Sequence, residues 1–132
     1  MSLVVDASIA VEFLLRTVLG RHAASILATE DLAAPELLDV EVAAVLRRLV
    51  RSGRLPEPRA REALDDLRAW DVARVSHRLL LDEAWRLRDQ VSAYDAMYVA
   101  TARLVGAAVI TADGPLSRAP AIGVVVHNAR GP

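Results

Sequence analysis

Short apolar runs alternate along this chain with stretches of helical spacing. Leu3-Val4-Val5 meets Asp6 at once, which predicts a strand over Leu3–Asp6 opening into a helix of about Ile9–Leu15, with Ser8 as its cap. A second helical piece fits Arg21–Thr29, and Asp31–Ala34, ahead of Pro35, reads as a second strand. At about 100° per residue, Leu38, Glu41, Val42, Val45 and Leu49 share one arc, while Arg47, Arg48 and Arg51 fall elsewhere. That pattern predicts a long helix over about Glu36–Ser52, stopped by Gly53. Pro56 and Pro58 punctuate the start of another, about Glu57–Trp70, with Ala60, Ala63, Leu64 and Leu67 on one face.

Val72–Ser76 is a third strand candidate. Leu80, Leu81, Ala84, Leu87 and Arg88 recur at helix spacing and predict a helix over Arg78–Gln90. Ser92 caps a further helix running to about Val105, and Gly106 stops it. Ala107–Thr111 is the clearest buried strand; Gly114-Pro115 starts a short helical turn, and Ile122–His127 is a last strand. Strands alternating with helices argue for a three-layer α/β/α fold around a mostly parallel sheet. Ligands of such sheets collect at the carboxyl ends of the strands.

Composition narrows the picture. A chain of 132 residues, 54 % hydrophobic, fits one domain over residues 1–132 with extensive packing or an oligomer surface. It has no cysteine, so disulfides and thiolate metal sites are excluded. No apolar run approaches the ~18 residues of a membrane span, and the N-terminus lacks the basic region of a signal peptide, so a cytoplasmic protein is the default expectation. The net charge of −1 gives no global basic field. Every one of the 16 basic residues is Arg, a usage that a GC-rich genome explains.

Four acids stand where little charge is expected. Asp6 ends a strand, Glu41 borders the apolar arc of its helix, Asp95 opens an apolar helix, and Asp113 follows the strand Ala107–Thr111. Each has a plain local explanation. Asp6 or Asp113 can cap a helix, Glu41 can reach water at its stripe's border, and Ser92-Ala93-Tyr94-Asp95 has capping-box spacing. Together they fall at one edge of one predicted sheet, and buried carboxylates need compensation. Hard divalent cations such as Mg²⁺ and Mn²⁺ take oxygen ligands, and ions held by carboxylates serve phosphodiester hydrolysis. Clustered acids also repel, so at least one should be hard to ionise without metal. His22, His77 and His127 are scattered, support no zinc site, and are expected at the surface or an edge. Asp65, Asp66, Asp82, Glu83 and Asp89 sit among Arg residues and read as surface charge.

Val4-Val5-Asp6-Ala7-Ser8, Glu41-Val42-Ala43-Ala44-Val45-Leu46, Tyr94-Asp95-Ala96-Met97-Tyr98-Val99-Ala100 and Ile110-Thr111-Ala112-Asp113 resemble, in this order, the motifs of the PIN domain. Length and coverage resemble the VapC toxins of bacterial toxin–antitoxin pairs. The resemblance implies a Mg²⁺- or Mn²⁺-dependent endoribonuclease with Asp6, Glu41, Asp95 and Asp113 as the catalytic, metal-holding acids. Ser8 would support a metal-bound water, and Thr111 is a further supporting hydroxyl. It also implies a homodimer and an inhibitory VapB-type antitoxin over the groove. Gly114-Pro115 departs from the longer polar stretch common after the last acid. Glu41 or Asp95 could serve as base. Arg47, Arg48 and Arg51, with Arg54, Arg59 and Arg61, could form an RNA-gripping rim, or a solvated helix face. With few aromatics, base-stacking platforms are not expected.

Two rivals remain. Receiver-like phosphoacceptor domains and haloacid-dehalogenase-type phosphatases share the fold class but use a Lys that this chain lacks, and Asp6-Ala7-Ser8 lacks the phosphatases' second Asp. A non-catalytic binding or scaffold protein of this fold is the other, because fold alone does not establish activity.

Overall fold

The computed structural model of the chain describes residues 2–113, 116 and 123–131. Among these residues five strands, β1 (Ser2–Val5), β2 (Asp31–Pro35), β3 (Val72–Val75), β4 (Ala108–Thr111) and β5 (Val126–Asn128), form one sheet in the order β3-β2-β1-β4-β5. All four pairings are parallel, with Val4 opposite both Ala33 and Val109, and Thr111 opposite Asn128. Parallel strands covered on both faces are apolar throughout rather than alternating. Val4, Val5, Ala34 and Val109 are accordingly fully buried.

Among the described residues six helices cover the sheet: α1 (Ala7–Leu14), α2 (Val18–Thr29), α3 (Leu37–Arg51), α4 (Glu57–Ala69), α5 (Leu81–Arg86) and α6 (Ala93–Val105). Helix α1 packs on α2 and α3, and α3 on α4, whereas α6 lies along β1, β2 and β4 and carries α5. The α1–α2 crossing is close enough to demand glycine. A Cβ added to Gly20 would stand 2.0 Å from the Glu12 carbonyl oxygen. Gly106, at φ 69°, ends α6 in the left-handed conformation expected of a stop residue. Arg74 ties α3, α4 and β3 together, pairing with Asp39 at 2.9 Å and donating to the carbonyls of Leu67, Trp70 and Val72. No helix among the described residues is long and apolar enough to cross a membrane.

Several boundaries differ from the sequence expectation. Helix α1 begins at Ala7 with Asp6 as its cap, not Ser8. Helix α2 starts three residues early because Thr17 caps it, its Oγ1 accepting from Gly20 N at 3.1 Å. The helix expected over Arg78–Gln90 divides into a 3-10 turn at His77–Leu79 and the short α5. Leu80 and Leu87, two turns apart, are buried, while Leu81 points to solvent. Strand β5 begins at Val126; Ile122 and the Gly114-Pro115 turn lie outside the described residues. His77, expected merely at an edge, accepts a 2.8 Å bond from Leu37 N through Nε2 and so caps α3 from the end of β3. Glu83 is also more than surface charge, since it bridges Arg86 on its own helix and Arg103 on α6.

Candidate active site

Asp6 leaves the carboxyl end of β1 and caps α1, its Oδ1 accepting from Ile9 N at 3.2 Å. Ser8, the second residue of α1, donates to the same oxygen at 2.7 Å. Thr111, the last residue of β4 and fully buried, donates to Oδ2. The two hydroxyls lie 3.1 Å apart and are held by backbone in turn: Ala112 N donates to Ser8 Oγ and Asp113 N to Thr111 Oγ1, both at 2.8 Å. This network joins the ends of β1 and β4 and leaves Asp6 only 5 % exposed. Burial outweighs the three donors and, with a smaller push from the charge of Asp113, raises the Asp6 carboxyl to about 6.

The other three acids arrive from separate elements. Asp113 follows β4, Asp95 lies in the first turn of α6, and Glu41 lies in the second turn of α3, just beyond β2. Asp95 N bonds Ser92 Oγ at 3.1 Å, so the capping role expected of this turn coexists with a place in the site. All four acids line one cleft of about 250 Å³, together with Ser8, Arg48 and Tyr98. Asp95 also holds its proton more tightly than usual, first because of burial, then because of the charges of Asp113 and Glu41. The reluctance to ionise expected from acid repulsion is therefore present, but desolvation is its larger cause. Among the described residues no three carboxylates already surround a single point closely enough to form a finished cation cage.

Two further side chains line the cleft: Arg48, which is expected at an RNA-gripping rim, and one that lies outside the expected site. Arg48 was placed off the Glu41 arc, yet it lines the same cleft. Seven residues span about 700°, only 20° short of two turns, so Arg48 stands directly above Glu41. The second is Tyr98. It is 2 % exposed, and its hydroxyl donates to Glu41 Oε1 at 2.7 Å. Burial and this bond keep the phenol protonated far above its ordinary range. The signal was its position three after Asp95, on the same helix face. Arg47, Arg51, Arg54 and Arg61 are exposed but do not line the cleft. Arg59 leaves the expected rim altogether, because its guanidinium donates to Leu14 O at 2.7 Å and fastens α4 to α1.

The PIN domain family model matches residues 3–122, nearly the whole chain. The chain belongs to the PIN domain family. Among curated proteins it is 41 % identical over 115 residues to the VapC ribonuclease Mb0985 of Mycobacterium bovis, covering 87 % of this chain and 88 % of that protein. It is 42 % identical over 90 residues to ribonuclease VapC1 of Mycobacterium tuberculosis, covering 67 % and 68 %, and 38 % identical over 117 residues to ribonuclease VapC3, covering 88 % and 85 %. The crystal structure of PAE2754 from Pyrobaculum aerophilum superposes with a TM-score of 0.71 at 22 % identity, over 98 % of this chain and 85 % of that one, and so shares the PIN fold.

Proposed function

We propose that this PIN domain is a metal-dependent endoribonuclease that hydrolyses RNA phosphodiester bonds, the toxin of a VapBC-type pair. The observation that carries the reading is the meeting of Asp6, Glu41, Asp95 and Asp113 in one cleft of a chain whose relatives are named VapC ribonucleases. An all-oxygen set from four carboxylates and a hydroxyl suits a hard cation, Mg²⁺ or Mn²⁺, rather than a softer metal. Asp6, Glu41, Asp95 and Asp113 would hold it, closing around it by rotation of the three partly exposed acids. When bound, such an ion polarises the phosphate and makes a water more acidic.

The chain's own residues do the rest. Asp6 is fixed by Ser8, Thr111 and Ile9 N, so it is the rigid anchor. A carboxylate oxygen of Asp95 or Glu41 takes the proton released by the attacking water. Arg48 stands at the cleft wall, where its guanidinium meets one RNA phosphate. Exposed apolar side chains at Val40, Leu79, Leu81 and Trp85 supply surface for a homodimer or for a VapB-type antitoxin.

The test uses the purified chain free of any partner. RNA is cleaved with Mg²⁺ or Mn²⁺ and spared with chelator, and Asp6→Asn abolishes cleavage while circular dichroism is unchanged. Full activity in that variant, or none in the wild type with either metal, overturns the proposal.

A further inference from the structure

We infer that Tyr98 is a positioning residue that sets the geometry of the acid cleft by holding Glu41 in place; this rests on the cation-site reading above. Glu41 extends from α3 on a flexible side chain and meets the negative charge of Asp95 across the cleft. Left alone, like charges would drive it outward to water. The only side-chain hydrogen bond that Glu41 receives among the described residues comes from the Tyr98 hydroxyl, at 2.7 Å.

Tyr98 is well built for the task. Its ring is buried and its backbone lies mid-helix in α6, so the hydroxyl has little freedom. The bond thus connects α3 at Glu41 with the helix that carries Asp95 one turn earlier. A phenol is a hydrogen-bond donor at neutral pH, so its hydroxyl can hold a Glu41 carboxyl oxygen in one place. Groups that orient metal-holding side chains are commonly worth ~10–100-fold in metal affinity when removed.

The experiment measures Mn²⁺ affinity by calorimetry on four proteins: wild type, Tyr98→Phe, Glu41→Ala and the double variant. Tyr98→Phe deletes only the oxygen and weakens Mn²⁺ binding about 10-fold or more, whereas in the Glu41→Ala background it changes affinity by less than about 2-fold. Unchanged affinity in folded Tyr98→Phe, or the same loss with and without Glu41, overturns the inference, because the hydroxyl would then act on packing alone. Should Tyr98→Phe not fold, the wild type decides. Its buried hydroxyl proton is followed by NMR during Mg²⁺ addition, and a resonance that does not shift overturns the inference. A wild type that binds neither ion overturns the cation-site reading itself, and this inference with it.

Discussion

Replacing Asp6 by Asn removes the proposed activity and at the same time stabilises the metal-free protein. Asp6 is buried, and its carboxyl is raised from 3.8 to about 6. Below about pH 2 to 3 the group is protonated in both folded and unfolded chains and contributes no pH-dependent term. As pH rises from about 4 to 6, the unfolded chain ionises first, so stability falls through that window and stays low above it. A shift of about 2 units corresponds to roughly 3 kcal/mol, or on the order of 10 °C in melting temperature for a chain of this size. Asn is neutral at every pH and fits the site. Thr111 Oγ1 accepts from its amide and donates instead to Ser8, while Ser8 and Ile9 N keep an oxygen acceptor. Urea melts of both proteins in chelator, from pH 4 to 8, give the difference directly, and groups shared by the two cancel. The advantage of Asp6→Asn should grow by up to about 3 kcal/mol between pH 4 and 6.5 and then level off. A difference flat across that range refutes the claim that burial, not bonding, dominates this carboxyl.

Other perturbations read different parts of the same arrangement. Asp113→Asn removes a charge that acts on both Asp6 and Asp95, so carboxyl NMR titration should show both acids ionising at lower pH than in the wild type. Thr111→Val deletes the hydroxyl that donates to Asp6 and accepts from Asp113 N; denaturation should report a loss of about 1–3 kcal/mol, and Asp6 should become harder still to ionise. Arg48→Gln should weaken RNA binding and reduce its salt dependence by about 0.7 in the log–log slope, the value for one single-strand phosphate, whereas Arg47→Gln should change it less. Gly20→Ala drives a methyl into the Glu12 carbonyl across the α1–α2 crossing, and thermal melting should show a loss of at least 3 kcal/mol or failure to fold.

The sheet was readable because buried parallel strands are continuous apolar runs, as in Leu3-Val4-Val5 and Val109-Ile110. Gly53 and Gly106 marked helix ends because both adopt positive φ where other residues are strained. The Arg78–Gln90 stretch misled because a spacing of seven between Leu80 and Leu87 is compatible with one long helix or with a 3-10 turn followed by a short one. Ser8 misled differently. A hydroxyl just past a strand looks like a cap, but an acidic Asp6 is the better acceptor, and the freed hydroxyl reaches Thr111 of β4, a contact across 103 positions that local pattern does not carry. Arg59 and His77 likewise found partners 45 and 40 positions away. Asp6, Asp95 and Asp113 could be placed near one sheet edge from the alternation of strands and helices, and Glu41 from the apolar arc of its helix. Their individual bonding, and the part taken by Tyr98, depend on packing between α3 and α6, which only the folded chain displays.

Anomalous diffraction from crystals soaked in Mn²⁺ tests the central claim most directly. A peak within coordination distance of Asp6, Asp95, Asp113 and Glu41 oxygens is the predicted result. No peak there at a concentration that supports RNA cleavage, or a peak held by other residues, would contradict it.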